Sequence, residues 1–406
     1  MMRTIIFIDS YKSGSSREAI RAADQLGYFT VLFTQRQSLM SDRANFPDIH
    51  EMVYIDLDDK EAMREKIKDL QTDGKLIHTI VSFINSNVYT AALLCEEFCG
   101  KRLSTDAIFK MENKIESRQT LQEAPFNIPF AVYEEGMELF SLLKQFNLHF
   151  PIIIKPPCST GSKDVLKAEN KLELDKYIKK FSDKYPGRSI LLEEYIEASQ
   201  YLVEALVYQN EVNIVAILEQ EITKDPPFII TGYSLLAKVP DDLYESISKA
   251  VRSIIRKFGM ENGACHLELR LYNNQWKLIE INPRISGTAM NRMIEEAYGI
   301  NLAQQILKIA LGEKPTLKKK YEKFVFTQHI ILPAEGILQK VTGKNKALNY
   351  EGVREVYIKP KKGKYVHPPW SMGHRYAYVM AASLTKEEAK RIAKTAAKEI
   401  QFHLIS

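Results

Sequence analysis

The sequence predicts an α/β chain that opens with a Rossmann-like parallel sheet and continues into a smaller strand-and-helix unit and a larger mixed-sheet unit. Three observations carry this. Apolar runs of strand length alternate with amphipathic helical patterns over the first hundred residues. Two long hairpin patterns follow in the middle of the chain. At 406 residues the chain is long enough for two or three structural domains.

In the first unit TIIFID (4–9), TVLFT (30–34), MVYID (52–56) and TIVSFI (79–84) are the strand candidates, and SREAIRAADQLG, 59–70 and 88–99 are the helices between them. Strands alternating with helices imply a parallel sheet covered on both faces. The first turn, DSYKSGSSR, holds one glycine rather than GxGxxG, which argues against a dinucleotide site. A helical stretch follows at 106–124. PIIIKP (151–156) and SILLEEYI (189–196) are strands separated by a Gly/Ser turn and the lysine-rich helix 171–184. YLVEALVYQNEVNIVAIL (201–218) predicts a hairpin turning near Asn210, and 264–282 a second one. Helices are expected at 241–258, at 289–311 and from 385 onward, with strands in REVYIKP and RYAYVMAASL.

Composition narrows the classes. Apolar residues make up 45% and charged residues 26%, and no run approaches the 18 apolar residues that would predict a membrane span. MMRTIIFIDS lacks the long apolar core of a signal peptide, so a cytoplasmic location is expected. Four cysteines are too few for a disulfide framework in a chain of this length. The net charge of +5 is small, and the basic runs LKKKYEK (317–323) and KPKKGK (359–364) lack stacking aromatics, so they predict solvated loops and no nucleic-acid partner.

The stretch KLIEINPRISG (277–287) resists a packing explanation. Alternation sends Glu280 and Asn282 to one face of a strand that Pro283 ends. A three-residue turn at Asn273, Asn274 and Gln275 would set Glu268 opposite Glu280 and His266 opposite Asn282. Two facing carboxylates repel by roughly 0.2–1 kcal/mol even when exposed. Divalent cations between them would relieve that, and oxygen ligands without thiolates suit Mg²⁺. The bland alternative is that both glutamates face water on an amphipathic hairpin. Lys155, followed by PCSTGSKDV, fits a cation and backbone N–H groups over phosphates, through Ser159, Thr160, Gly161 and Ser162; a plain Gly/Ser turn is the alternative. Lys114 is a second candidate cation or an ordinary helix-surface lysine. Trp370 and Met372 would line a substrate pocket or pack within their loop.

Taken in order, NK…R…L at 113–121, PIIIKP with its loop, EEYI…YLVE, HLELRL and IEINPRISG resemble the ATP-grasp superfamily. Within it the chain is most similar to the carboxylate–amine ligases that join amino acids, the bacterial L-amino-acid ligases. The resemblance implies an ATP-grasp fold with an N-terminal unit at 1–104, a lid subdomain with phosphate loop at 105–195 and a metal-binding core with C-terminal subdomain at 196–406. It implies that Lys114 and Lys155 contact ATP phosphates beneath the 159–163 lid. The Glu193 side chain, with the backbones of Glu194 and Ile196, would hold adenine. Gln200 stands where the family usually has Glu, so the ribose contact falls to Gln200 or Glu204. Glu268, Glu280 and Asn282 would bind two Mg²⁺, with Mn²⁺ as a substitute. Arg284 would be the catalytic cation on the transferred phosphate, with Gly287 on the substrate side; His266, on the same face by its register, would contact substrate or orient a ligand, or else be a satisfied structural histidine. Small-molecule substrates, amino acids, are the implied partners, and a homodimer the implied assembly.

Overall fold

The computed structural model describes residues 1–156, 164–223, 228–287 and 289–405. The N-terminal sheet is parallel, with strands in the order Glu51–Tyr54, Phe29–Thr34, Met2–Ile8 and Lys75–Val81. Ile5, Ile6, Phe7 and Ile8 are buried in succession, as a central strand covered on both faces requires. The helices Ser15–Gln25, Lys60–Thr72 and Val88–Cys99 supply the cover.

A second sheet of four antiparallel strands orders Phe130–Tyr133, Ile190–Glu194, Ile152–Lys155 and Leu166–Ala168, and the helix Lys171–Lys184 lies on it. The helical stretch predicted at 106–124 is two helices, Thr105–Glu112 and Lys114–Thr120. Ala107, Ile108, Met111 and Leu121 pack with Val203, Leu267 and Ile281, so this stretch joins the core under the large sheet rather than the lid.

That large sheet has eight strands in the order Gln275–Asn282, Gly263–Tyr272, Gln200–Tyr208, Glu211–Ile222, Ile230–Leu235, Phe324–Ile330, Ala377–Ser383 and Val353–Ile358. Every pairing in it is antiparallel, not mixed as the sequence predicted: strands consecutive in the chain pair as hairpins, and the other neighbours come from distant segments that run in opposite directions. The helix Asp241–Phe258 matches its predicted span, with acids in its first turn, Arg256 and Lys257 in its last, and Gly259 left-handed at its end. The predicted helix 289–311 is interrupted by left-handed Gly299 and restarts where Asn301 caps Leu302–Ala310. No helix among the described residues is long and apolar enough to cross a membrane.

Candidate active site

The site begins with the hairpin Gly263–Asn282. Asn273 and Asn274 both adopt positive φ, 48° and 59°, which makes a two-residue turn with Tyr272 opposite Gln275, not the predicted three-residue loop. Such a turn alone would face Glu268 with Ile279. A β-bulge at Ile279 restores the register, so Glu268 stands opposite Glu280 and His266 opposite Asn282, as the alternation predicted. The bulge also presents a carbonyl: Ile279 O accepts from Arg118 Nη2 at 2.9 Å and from Lys155 Nζ at 3.5 Å.

Arg118 and Lys155 converge on Glu193, which bonds Arg118 Nε and lies 2.6 Å from Lys155 Nζ. Burial pushes the Glu193 carboxyl up, but the two cations overcome it and hold it at about 2. Glu193 thereby fixes Lys155. Glu194 has its own partners, its N–H donating to Pro129 O and its carboxylate accepting from His149. Ile196 O accepts from Arg270, leaving its N–H as the edge group for a base. Lys114 is the first residue of a helix capped by Asn113, whose Oδ1 accepts from the N–H of Ile115 and Glu116.

Glu280 is buried. Burial raises its carboxyl, yet Lys114, Lys155, the Asn282 hydrogen bond and Arg284 together hold it below the usual range. Asn282 Nδ2 donates to Glu280 Oε1 at 3.0 Å, which leaves the amide oxygen as a ligand. Glu268 accepts from Gln200 Nε2 at 2.7 Å. Among the described residues no three His, Cys, Asp or Glu side chains gather as a metal cage. Two carboxylates and an amide oxygen fit Mg²⁺ nonetheless, because that ion takes few protein ligands and completes its shell with water and substrate phosphates.

Glu204 is wholly buried. Its carboxylate lies 2.7 Å from His266 Nδ1 and accepts from Ser286 N–H. Of the two ribose candidates, Gln200 lines the cavity and Glu204 does not. Burial lowers the His266 imidazole, but Glu204 outweighs it and lifts His266 to about 9, so it is an imidazolium at neutral pH. Ser15 Oγ donates to Ser286 O at 2.6 Å from the N-terminal unit. Glu204 and Ser15 thus clamp the loop that carries Arg284, whose Nη1 bonds Ile285 O.

These side chains line one cavity of about 270 Å³ between the small and large sheets. Lys114, Lys155, Glu193, Glu194, Ile196, Gln200, His266, Glu268, Glu280, Asn282, Arg284 and Gly287 all border it. Ser159, Thr160, Gly161 and Ser162 lie outside the described residues. Met372 borders it, while Trp370 is exposed and stacks on His367. Phe228, Ile230 and Tyr233 border it from the 223–238 segment. Arg118, Gln220 and Arg375 were not expected. The R in NK…R…L was the only sequence signal for any of them.

Family models match in chain order: an ATP-grasp N-terminal domain over 20–98, an ATP-grasp domain over 148–292, and an L-amino acid ligase C-terminal domain over 328–404. The chain belongs to the ATP-grasp superfamily. The solved L-amino acid ligase from Bacillus licheniformis superposes with a TM-score of 0.82 at 20% identity, covering 100% of this chain and 99% of that one. The uncharacterized protein y4rH of Sinorhizobium fredii is 23% identical over 80% of this chain and 68% of its own length. The large chain of carbamoyl phosphate synthase from Clostridium acetobutylicum is 24% identical over 76% of this chain, which spans only 29% of that protein.

Proposed function

We propose that this protein is an ATP-dependent carboxylate–amine ligase that joins two L-amino acids through an acyl phosphate. The observation that carries the reading is the Glu268–Glu280 pair, fixed on a buried hairpin and facing Lys114, Lys155 and Arg284 in one cavity. The C-terminal domain match supports amino acids as substrates.

A free carboxylate is a poor acyl donor. Attack of its oxygen on the γ-phosphorus of ATP releases ADP and leaves an acyl phosphate. The amine of the second substrate then attacks the acyl carbon, phosphate leaves, and an amide bond remains. Phosphoryl transfer requires chiefly positioning and neutralisation of charge. Lys155, held between Glu193 and Ile279 O, presents a fixed cation to phosphate oxygens, and Lys114 adds a second. Mg²⁺ on Glu268, Glu280 and Asn282 would neutralise the phosphate charge. Arg284, clamped through Ser286, meets the transferred group and the acyl phosphate that forms. The apolar wall of Ile128, Ile153 and Ile279 suits a base, with the Ile196 N–H at its edge.

Phosphate release from Mg-ATP with pooled pairs of the twenty amino acids, followed by mass spectrometry, tests this. A dipeptide mass that requires ATP is the expected result. Phosphate release with no dipeptide from any pair would move the substrates to other carboxylates and amines.

A further inference from the structure

Strands lie about 4.8 Å apart, so the part of the cavity over Ile230–Leu235 lies about 14 Å across the sheet from Glu268. Gln220 pairs with Tyr233 and Tyr233 with Thr327, and the first two side chains border the cavity there. Both polar atoms of Gln220 are shut from solvent and have no hydrogen-bond partner among the described residues. Arg375 enters from the opposite side and is 8% exposed. Its Nε bonds Met372 O at 3.2 Å, and its Nη1 bonds Ile230 O and the Tyr233 hydroxyl at 3.3 Å each. Among the described residues its Nη2 makes no bond and no carboxylate pairs with it. A buried guanidinium without an anion and a buried amide without a partner are both costly, and here they border one space. Ile222, Phe228 and Met372 wall that space with apolar surface. Adjacent His329, whose ring nitrogens have no partner among the described residues, has its imidazole pushed down by burial and by Arg375.

We propose that Arg375 and Gln220 form a carboxylate subsite for an amino-acid substrate, receiving a carboxylate other than the one activated at Arg284. This rests on the amino-acid ligase reading. The carboxylate has two sources: the side chain of an acidic acyl donor, or the free α-carboxylate of the amine donor. The Nη2 of Arg375 and the Nε2 of Gln220 are its donors, and the apolar walls take the methylenes beside it.

The test is isothermal titration of the intact protein, loaded with Mg²⁺ and a non-hydrolysable ATP analogue. The probes are the twenty L-amino acids and their α-carboxamides. Glutamate against glutamine and aspartate against asparagine report the side-chain source; each acid against its α-amide reports the α-carboxylate source. The expected result is a preference of at least tenfold for the carboxylate in one arm, falling below threefold in Arg375→Met. No preference in the parent protein, or an unaltered one in Arg375→Met, overturns the subsite. Gln220→Leu guards against misfolding. Because its amide is unsatisfied in the free protein, the variant is expected to raise Tm while weakening carboxylate binding severalfold. A lower Tm with unchanged binding makes Gln220 structural and overturns its role. A dipeptide mass with unaltered preference in Arg375→Met fails the subsite alone; an Arg375-dependent preference without dipeptide from any pair fails the ligase reading alone.

Discussion

Glu193 holds two buried cations with one carboxylate, which couples the site to pH. Its ordinary value is 4.5 and its folded value about 2. A depressed acid contributes stability that is complete above 4.5 and lost as pH falls toward 2. Linkage puts this at about 3 kcal/mol. Glu193→Gln is expected to destabilise the protein at pH 7 and flatten the acid limb of denaturant stability between pH 4.5 and 2; an acid limb identical to that of the parent would remove Glu193 from this account. Arg284→Ala is expected to lower kcat at least 100-fold in a protein with the far-ultraviolet spectrum of the parent, because it removes a donor aimed at developing charge. Normal turnover in that folded variant would exclude the role given to Arg284. Glu268, Glu280, Asn282 and Arg284 were legible because polar residues at alternate positions of an apolar strand have no packing reason to be there. Arg118, Gln220 and Arg375 sit in no such pattern. Their significance comes from burial against distant segments, as when Arg118 bonds the carbonyl of Leu278, 160 residues away.

At the scale of the element, the hairpin shows how a correct register can rest on a wrong turn. Both asparagines at its tip are left-handed, a conformation glycine adopts without strain. Asn274→Gly is therefore expected to be neutral or to stabilise by up to about 1 kcal/mol, while Asn274→Val costs about 1–2 kcal/mol. Urea titration of the pair checks this, and equal midpoints would contradict the turn. The bulge at Ile279 left no mark in the sequence, because a bulge is set by what lies beside it. Here that is Arg118 and Lys155, which take the freed carbonyl, and Phe126, whose carbonyl accepts from Leu278 N–H. The strand Gln401–Ile405 was likewise not anticipated. It pairs with Gly336–Thr342, a strand separated from it by three other strands in the chain.

At the scale of the molecule, the N-terminal unit lacks the glycine fingerprint of a dinucleotide site but contributes Ser15 to the loop that bears Arg284. That contact ties the first turn of one sheet to the catalytic end of another. Ser15→Ala is expected to lower kcat about threefold to tenfold through misplacement of Arg284, with nucleotide affinity unchanged. A weaker nucleotide affinity with kcat intact would contradict that assignment. The order of the units was legible because strand–helix alternation and hairpin patterning are local signals. The antiparallel character of the eight-stranded sheet was not, because strands that neighbour in space, such as Ile230–Leu235 and Phe324–Ile330, are far apart in sequence.

The acyl phosphate is the centre of the account, and it leaves an isotopic trace. With the acyl substrate's carboxylate labelled with ¹⁸O, turnover through attack on the γ-phosphorus carries one labelled oxygen into the released phosphate, alongside ADP. Labelled phosphate with ADP is the result expected. Label recovered in AMP, with pyrophosphate released, would place the attack at the α-phosphorus and contradict the mechanism.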